Sequence, residues 1–264
     1  MGEKVRTDWW RGRACPARDR RKKIWRLLLR GLGDAVFPPI CVHCRGLVED
    51  GDYRYLCALC ARRIDFVRPP FCGTCGHPFF GVLEEGRICP HCAGLDAAYG
   101  RGRTAVLFRG PARSLVIELK YHGGRHVLRD IERIFRLSPA VVAQARGAVL
   151  VPVPLSSRKL RERGFNQSFL LASALARAAG AGARVAPLVR RVADTPTQTA
   201  FDRRSRQDNL KNAFALAGRV DFDARQRYLL VDDVFTTGST INSCARVLRR
   251  AGCLNLDVAT FAHG

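Results

Sequence analysis

The sequence predicts an α/β domain, a mainly parallel sheet flanked by helices, preceded by a small cysteine-stapled module. Three observations carry this. From about residue 100 to the end, apolar strand-like runs alternate with helical patterns. Eight of the eleven cysteines fall between Cys41 and Cys92, as four Cys-x-x-Cys pairs. The texture also changes along the chain, from aperiodic over 40–95 to strongly periodic beyond 100.

In chain order, residues 1–23 are polar and Arg-rich and read as a disordered basic tail. Residues 24–39 read as a short helix with Ile24, Leu27, Leu28, Leu32 and Phe37, stopped by Pro38-Pro39. Residues 40–95 have too little apolar periodicity for a core of their own, so a metal-stapled module is expected. The α/β domain spans 100–264. Thr104–Phe108 reads as a strand, and Pro111 opens a helix with Leu115, Val116 and Leu119 on one face. A second helix uses Val127, Leu128, Ile131, Ile134 and Phe135. Ala148–Val153 is a continuous apolar run, as in a buried parallel strand, and a helix follows over roughly 166–179. Residues 194–211 are polar and without period, and read as a loop. Tyr228–Val231 is another buried strand, followed by a helix from about Gly238 to Arg250 that Gly252 ends. Leu254–Phe261 is the last strand.

Composition excludes some classes. With 264 residues and 47% hydrophobic content the chain is not a disordered one. No apolar run approaches the ~20 residues of a membrane-spanning helix. The N-terminus lacks a signal-peptide pattern, so a cytoplasmic protein is expected. The formal net charge is +22. Of the 45 basic residues only six are lysine (Lys4, Lys22, Lys23, Lys120, Lys159, Lys211) and 39 are arginine. A GC-rich genome favours arginine over lysine, but codon bias does not by itself create a net excess of positive charge. Anionic partners follow from that excess, with single-stranded DNA among them.

The cysteine pairs are Cys41/Cys44, Cys57/Cys60, Cys72/Cys75 and Cys89/Cys92. Without a secretory signal, such pairs indicate metal rather than disulfides. Two pairs make a tetrahedral Cys₄ zinc site, so four make two structural zinc sites with no open position for catalysis. Consecutive pairing is the reading adopted, 41/44/57/60 and 72/75/89/92; interleaved pairing is also compatible with the spacing. Gly46 and Gly76 are placed to permit tight knuckle turns. His43 and His91 sit inside their pairs and read as ordinary knuckle side chains. Cys244 is expected to pack on the last helix and Cys253 near the last strand, while Cys15 falls in the tail.

The most specific chemistry lies at 231–240, Val-Asp-Asp-Val-Phe-Thr-Thr-Gly-Ser-Thr. A strand delivers an acidic pair and a small-residue loop to a helix N-terminus, where unpaired amides and the macrodipole favour an anion. Thr236, Thr237, Gly238, Ser239 and Thr240 offer amides and hydroxyls to a phosphate, and Gly238 lets the backbone come close. Ionised Asp232 and Asp233 accept hydrogen bonds only, which suits two ribose hydroxyls. The pattern resembles the phosphoribosyl diphosphate (PRPP) signature of type I phosphoribosyltransferases, and that resemblance implies their fold and PRPP with Mg²⁺. Purine-salvage members commonly carry an Asp shortly after the acidic pair, where it can face the base; here that position is Thr236. That departure weakens a purine-salvage assignment.

A second loop follows the strand at 148–153. Ser156, Arg158, Lys159, Arg161 and Arg163 make it dense in hydrogen-bond donors and cations, which suits pyrophosphate as a leaving group. For any one arginine a solvated helix face is the plainer reading; for the cluster, function is preferred. Lys120, at the end of the domain's first helix, either reaches a phosphate or stays solvated. The stretch Asp194–Arg206, leading to Asn209-Leu210-Lys211-Asn212-Ala213-Phe214, has the length and polarity of a mobile lid, or is a disordered loop without a role.

Taken together, Leu119-Lys120-Tyr121, Val151-Pro152-Val153-Pro154-Leu155, Arg163-Gly164-Phe165-Asn166-Gln167, Asn209–Phe214 and the 231–240 loop resemble the ComF family (ComFC/GntX-like) over roughly residues 24–264. The resemblance implies a double zinc ribbon before a phosphoribosyltransferase-like domain, a link to natural transformation and DNA uptake, and competence-machinery partners. Two functions are open at this point. One is a phosphoribosyltransferase whose acceptor and catalytic base the sequence does not name. The other is a non-catalytic, zinc-ribbon, single-stranded-DNA-binding protein that uses the PRPP site as a sensor.

Overall fold

The computed structural model describes residues 38–49, 51–79, 89–192 and 213–264. The basic tail, the expected helix up to Phe37 and the expected lid over 194–212 lie outside them. Residues from Ile40 onward form one compact unit.

The sheet is built as its apolar runs require. β1 (Gly102–Leu107), β2 (Val149–Pro152), β3 (Arg184–Val185), β6 (Tyr228–Phe235) and β7 (Leu256–His263) form a five-stranded sheet ordered β1-β7-β6-β2-β3. Every neighbouring pair in it is parallel. Two short strands not expected from the sequence, β4 (Val189–Arg191) and β5 (Phe214–Leu216), pair antiparallel beside it. All four residues of β2 are buried, which explains why its run is apolar without alternation.

The helices pack on both faces. α2 (Gly110–Tyr121) starts with Pro111, whose missing N–H costs nothing in a first turn. A 3₁₀ turn at Arg125–Val127 leads into α3 (Leu128–Arg136), followed by α4 (Pro139–Ala145). α5 (Ser157–Arg163) and α6 (Gln167–Ala179) come after β2, and α7 (Ser239–Arg250) after β6. The sequence missed α4 and α5, which are too short to show a period; of α5's seven residues none is buried. On one sheet face, Leu229, Val231, Ala259 and Phe261 pack with Leu115, Ile131, Phe135 and Leu171 of the helices. On the other, Leu230, Val151 and Val258 pack with Ile241, Cys244 and Leu248 of α7. Cys244 and Cys253 are buried in this second core, as expected.

The cysteine module divides between these two faces. Its first half carries the short helix α1 (Ala58–Ala61) and places Cys41, Leu56, Cys60 and Ile64 in the core of the first face. Buried Asp130 of α3 accepts the backbone N–H groups of Arg54 and Tyr55 at 2.9 and 2.7 Å, tying that half down. The second half places Cys72, Cys75, Cys89 and Tyr99 in the core of the α7 face. Here two glycines let backbone meet backbone. A Cβ on Gly76 (φ +75°) would lie 2.8 Å from the Thr104 nitrogen, and one on Gly102 would strike the Thr74 carbonyl. In the first knuckle the positive φ falls on Arg45 (66°) rather than on Gly46, so only Gly76 has the turn role expected of both.

Candidate functional site

In a parallel sheet the loops after β2 and β6 share one edge, because Pro152 of β2 lies opposite Val231 of β6. β6 continues further than the apolar run suggested. It carries the acidic pair inside the strand and ends at Phe235, with Asp232 opposite Thr260 and Phe235 opposite His263 of β7.

The acidic pair is held by side chains from two helices. Asp233 is buried, and its carboxylate accepts from Lys120 Nζ and from Gln167 Nε2, each at 2.9 Å. Asp232 accepts from Ser168 Oγ and from the Asp233 amide, each at 2.9 Å. Burial, and then the charge of Asp233, push the Asp232 carboxyl up to about 7; these hydrogen bonds and the Lys120 charge act the other way. Lys120 is therefore placed on a carboxylate rather than out in solvent. Sequence reading did not single out Gln167 and Ser168 as site residues. The motif Arg163-Gly164-Phe165-Asn166-Gln167 was their signal. Gly164 (φ +73°) ends α5, and Asn166 caps α6 by accepting the Ser168 amide at 3.0 Å. Asn166 also donates to the Val153 carbonyl at 3.0 Å, so the turn is pinned to the end of β2. Arg163 Nη1 then donates to Gln167 Oε1 at 2.9 Å, which orients the amide toward Asp233.

The loop after β6 forms a cup of about 40 Å³ lined by Asp232, Thr236, Thr237, Gly238, Ser239 and Thr240. Gly238 is the N-cap of α7 with φ +73°. A Cβ there would come 2.6 Å from Phe235 Cζ and 2.9 Å from Leu95 Cδ2, so both conformation and space demand glycine. No side chain caps the helix through Gly238, and no acidic residue stands in its first turn. The Thr237 and Ser239 hydroxyls lie 2.9 Å apart at the lip. The Ser239 amide reaches only the Thr237 hydroxyl, at 3.4 Å; the helix amides with their positive dipole end, and the hydroxyls around them, make this cup a site for an anion.

The cations of the other loop divide. Ser156 caps α5 by accepting the Lys159 amide at 3.3 Å. Lys159 is half-buried; burial first, then the charges of Arg163, Arg191, Lys120 and Arg158, push its ammonium below the usual lysine range. Lys120 reaches the acidic pair directly and Arg163 through Gln167, and Lys159 lies near enough to both to feel their charge. Arg158 points away, exposed and paired with Glu162 at 3.3 Å, and Arg161 is exposed without an ion pair among the described residues. Beside α5 and α6 a larger apolar cleft of about 600 Å³ opens, lined among others by Pro154, Leu160, Phe165, Phe169 and Val189.

The cysteines gather as two clusters, Cys41/Cys44/Cys57/Cys60 and Cys72/Cys75/Cys89/Cys92, in the consecutive pairing. Across them Cys44–Cys57, Cys72–Cys92 and Cys75–Cys89 sulfurs are 3.7, 3.6 and 3.6 Å apart. That is far from a disulfide bond and close to the ~3.8 Å edge of a tetrahedron of thiolates about 2.3 Å from zinc. The donor set therefore fits two closed zinc sites. His43 lies outside the first cluster, its Nδ1 2.9 Å from Ser114 Oγ.

Several known proteins are similar to this chain. The double zinc ribbon domain family model matches residues 32–93. Competence protein F of Haemophilus influenzae is 30% identical over 225 residues, spanning 83% of this chain and 94% of that protein. DNA utilization protein YhgH of Salmonella typhimurium is 32% identical, spanning 84% and 95%. Competence protein ComFC of Bacillus subtilis is 24% identical, spanning 75% and 79%. Among solved structures, a hypoxanthine phosphoribosyltransferase from Staphylococcus aureus aligns over 50% of this chain and 62% of its own, with a TM-score of 0.32 and 15% identity.

Proposed function

We propose, from the premise that this chain belongs to the ComF family of competence-related proteins, that it binds PRPP at the end of β6 and works in DNA uptake or use. One observation carries the reading. A helix N-terminus with a glycine that admits no side chain is joined, within one strand end, to an acidic pair that two helices orient. A phosphate needs the first part and a ribose diol needs the second.

In this reading residues 236–240 hold the 5′-phosphate, and Asp232 and Asp233 accept the ribose hydroxyls. Lys159 and Arg163 face the pyrophosphate. Lys120 pairs with Asp233, and Gln167 and Ser168 fix where the carboxylates point. Mg²⁺ prefers oxygen donors, which the carboxylates and PRPP supply, and it would neutralise the pyrophosphate. Loss of pyrophosphate leaves positive charge on the ribose, and cations placed at the leaving group favour that separation. The two Cys₄ clusters hold zinc that staples the module.

A second reading keeps the binding and drops the transfer. Among the described residues no side chain presents itself as the base for an acceptor amine, and the net charge of +22 suits single-stranded DNA. The test is calorimetric titration of PRPP with Mg²⁺, followed by a pyrophosphate-release assay against purine, pyrimidine and simple amine acceptors. Binding with release supports a transferase; binding without release for any acceptor supports the sensor; no binding removes the reading. For DNA, log affinity for a single-stranded oligonucleotide should fall linearly with log salt, and a flat line removes the electrostatic model.

A further inference from the structure

The second ribbon meets the α/β domain through three histidines that the zinc clusters and the phosphate cup leave unused. His77 follows the Cys72/Cys75 knuckle, His91 lies inside the Cys89/Cys92 knuckle, and His263 ends β7. Their ring nitrogens all lie within 4.8 Å of one another. His77 and His91 stack at 3.8 Å, and His263 stands nearly edge-on to both, at 4.8 and 5.0 Å between ring centres. His263 is 2% exposed. Its Nδ1 sits 2.9 Å from the Gly264 carbonyl, while its buried Nε2 has no hydrogen-bond partner among the described residues.

A packing role alone does not account for this. Phenylalanine would fill the same space without leaving a buried ring nitrogen unpaired, a loss of about 1–3 kcal/mol. The Gly264 carbonyl also takes the Nδ1 proton, which fixes the tautomer and leaves the Nε2 lone pair free to coordinate, as a carbonyl partner does for many metal-binding histidines. Three converging imidazoles are a nitrogen donor set of the kind zinc accepts, with one position left for water.

We propose that His77, His91 and His263 form a third metal site, distinct from both Cys₄ clusters, that binds a divalent imidazole-preferring cation such as zinc. Three nitrogens about 2.0–2.1 Å from a tetrahedral zinc lie about 3.4 Å apart and each lone pair lies in its ring plane, so binding draws the nitrogens together and turns His77 and His91 out of their stack. The ion bridges two knuckle loops of the second ribbon to the last strand. It also reaches the anion cup through one contact: Phe235 stacks on His263 at 5.1 Å, and the same Phe235 ring closes off the space at Gly238. The site thus ties the ribbon's metal state to the floor of the cup.

The test is metal content of the full chain after zinc loading and removal of loosely held ions, compared with His77→Phe and His263→Phe, which keep the ring volume. The expected result is about three zinc ions per folded wild-type chain and about two in each variant. A wild-type value of two, unchanged in the variants, overturns the proposal. Because His263 is buried and its variant can misfold, cobalt(II) titration of the wild type gives an independent reading. A third equivalent that adds d–d absorption without adding thiolate-to-cobalt charge transfer supports nitrogen ligation, and saturation at two equivalents overturns it.

Discussion

The two ends of the cup are built on opposite electrostatic terms. At the acidic end each carboxylate has two hydrogen-bond donors, and the largely buried ion pair of Lys120 with Asp233 is closed at 2.9 Å. At the cationic end Lys159 sits among Arg163, Arg191, Lys120 and Arg158 and makes no ion pair among the described residues. The first end is finished without a ligand, and the second is finished by one. An enzyme or sensor of a ribose polyphosphate needs this division. Neutral hydroxyls are recognised by preoriented acceptors, whereas a multiply charged anion is recognised by cations the fold holds together against their repulsion.

Three substitutions break or sharpen this contrast. Asp233→Ala strikes the closed end and leaves a largely buried ammonium without its carboxylate. We expect a stability loss of about 3–5 kcal/mol in chemical denaturation, partly recovered by adding Lys120→Met. Gly238→Ala lies between the ends, forces a side chain into φ +73° and drives Phe235 aside. It should cost about 1–3 kcal/mol of stability and weaken both phosphate and PRPP binding. Lys159→Ala at the open end should leave the ligand-free stability within about 0.5 kcal/mol of wild type, because it removes repulsion as well as a contact. Its pyrophosphate affinity should fall roughly tenfold, about 1.4 kcal/mol.

The same contrast also produces a pH slope. Asp232 titrates near 7 in the fold and near 4 when unfolded, so folding favours its protonated form. Its contribution to stability is full below about pH 4, declines as pH rises toward 7, and stays lost above. Denaturation followed from pH 4 to 8 should show this decline, and Asp232→Asn should flatten it. PRPP affinity should move the other way, rising through pH 7 as the carboxylate ionises.

How much of this was legible in the sequence differs between the ends in the same way. The anion cup was readable because its parts are contiguous: strand, acidic pair, glycine and helix within 228–250. The cysteine clusters were readable because metal ligation imposes spacing. Gln167 and Ser168 were not singled out, because their role depends on α6 starting at one particular residue, which Gly164 and Asn166 set through backbone conformation. Nor was the convergence of Lys159 and Arg163, as against Arg158 and Arg161, visible from a run of alternating cations in a seven-residue helix without a buried face. The histidine trio was the least legible. Its members stand far apart in sequence, at 77, 91 and 263, and only the docking of the second ribbon on the sheet brings them together.

The central claim is that one site holds a ribose phosphate at its closed end and a pyrophosphate at its open end. It is tested most directly by titrating ribose 5-phosphate and magnesium pyrophosphate separately by calorimetry. The proteins compared are wild type, Asp232→Asn/Asp233→Asn and Lys159→Ala/Arg163→Ala. The account predicts that the acidic variant loses ribose 5-phosphate and keeps pyrophosphate, and that the cationic variant does the reverse. If wild type binds neither fragment, or one variant loses both while the other loses none, the account is contradicted.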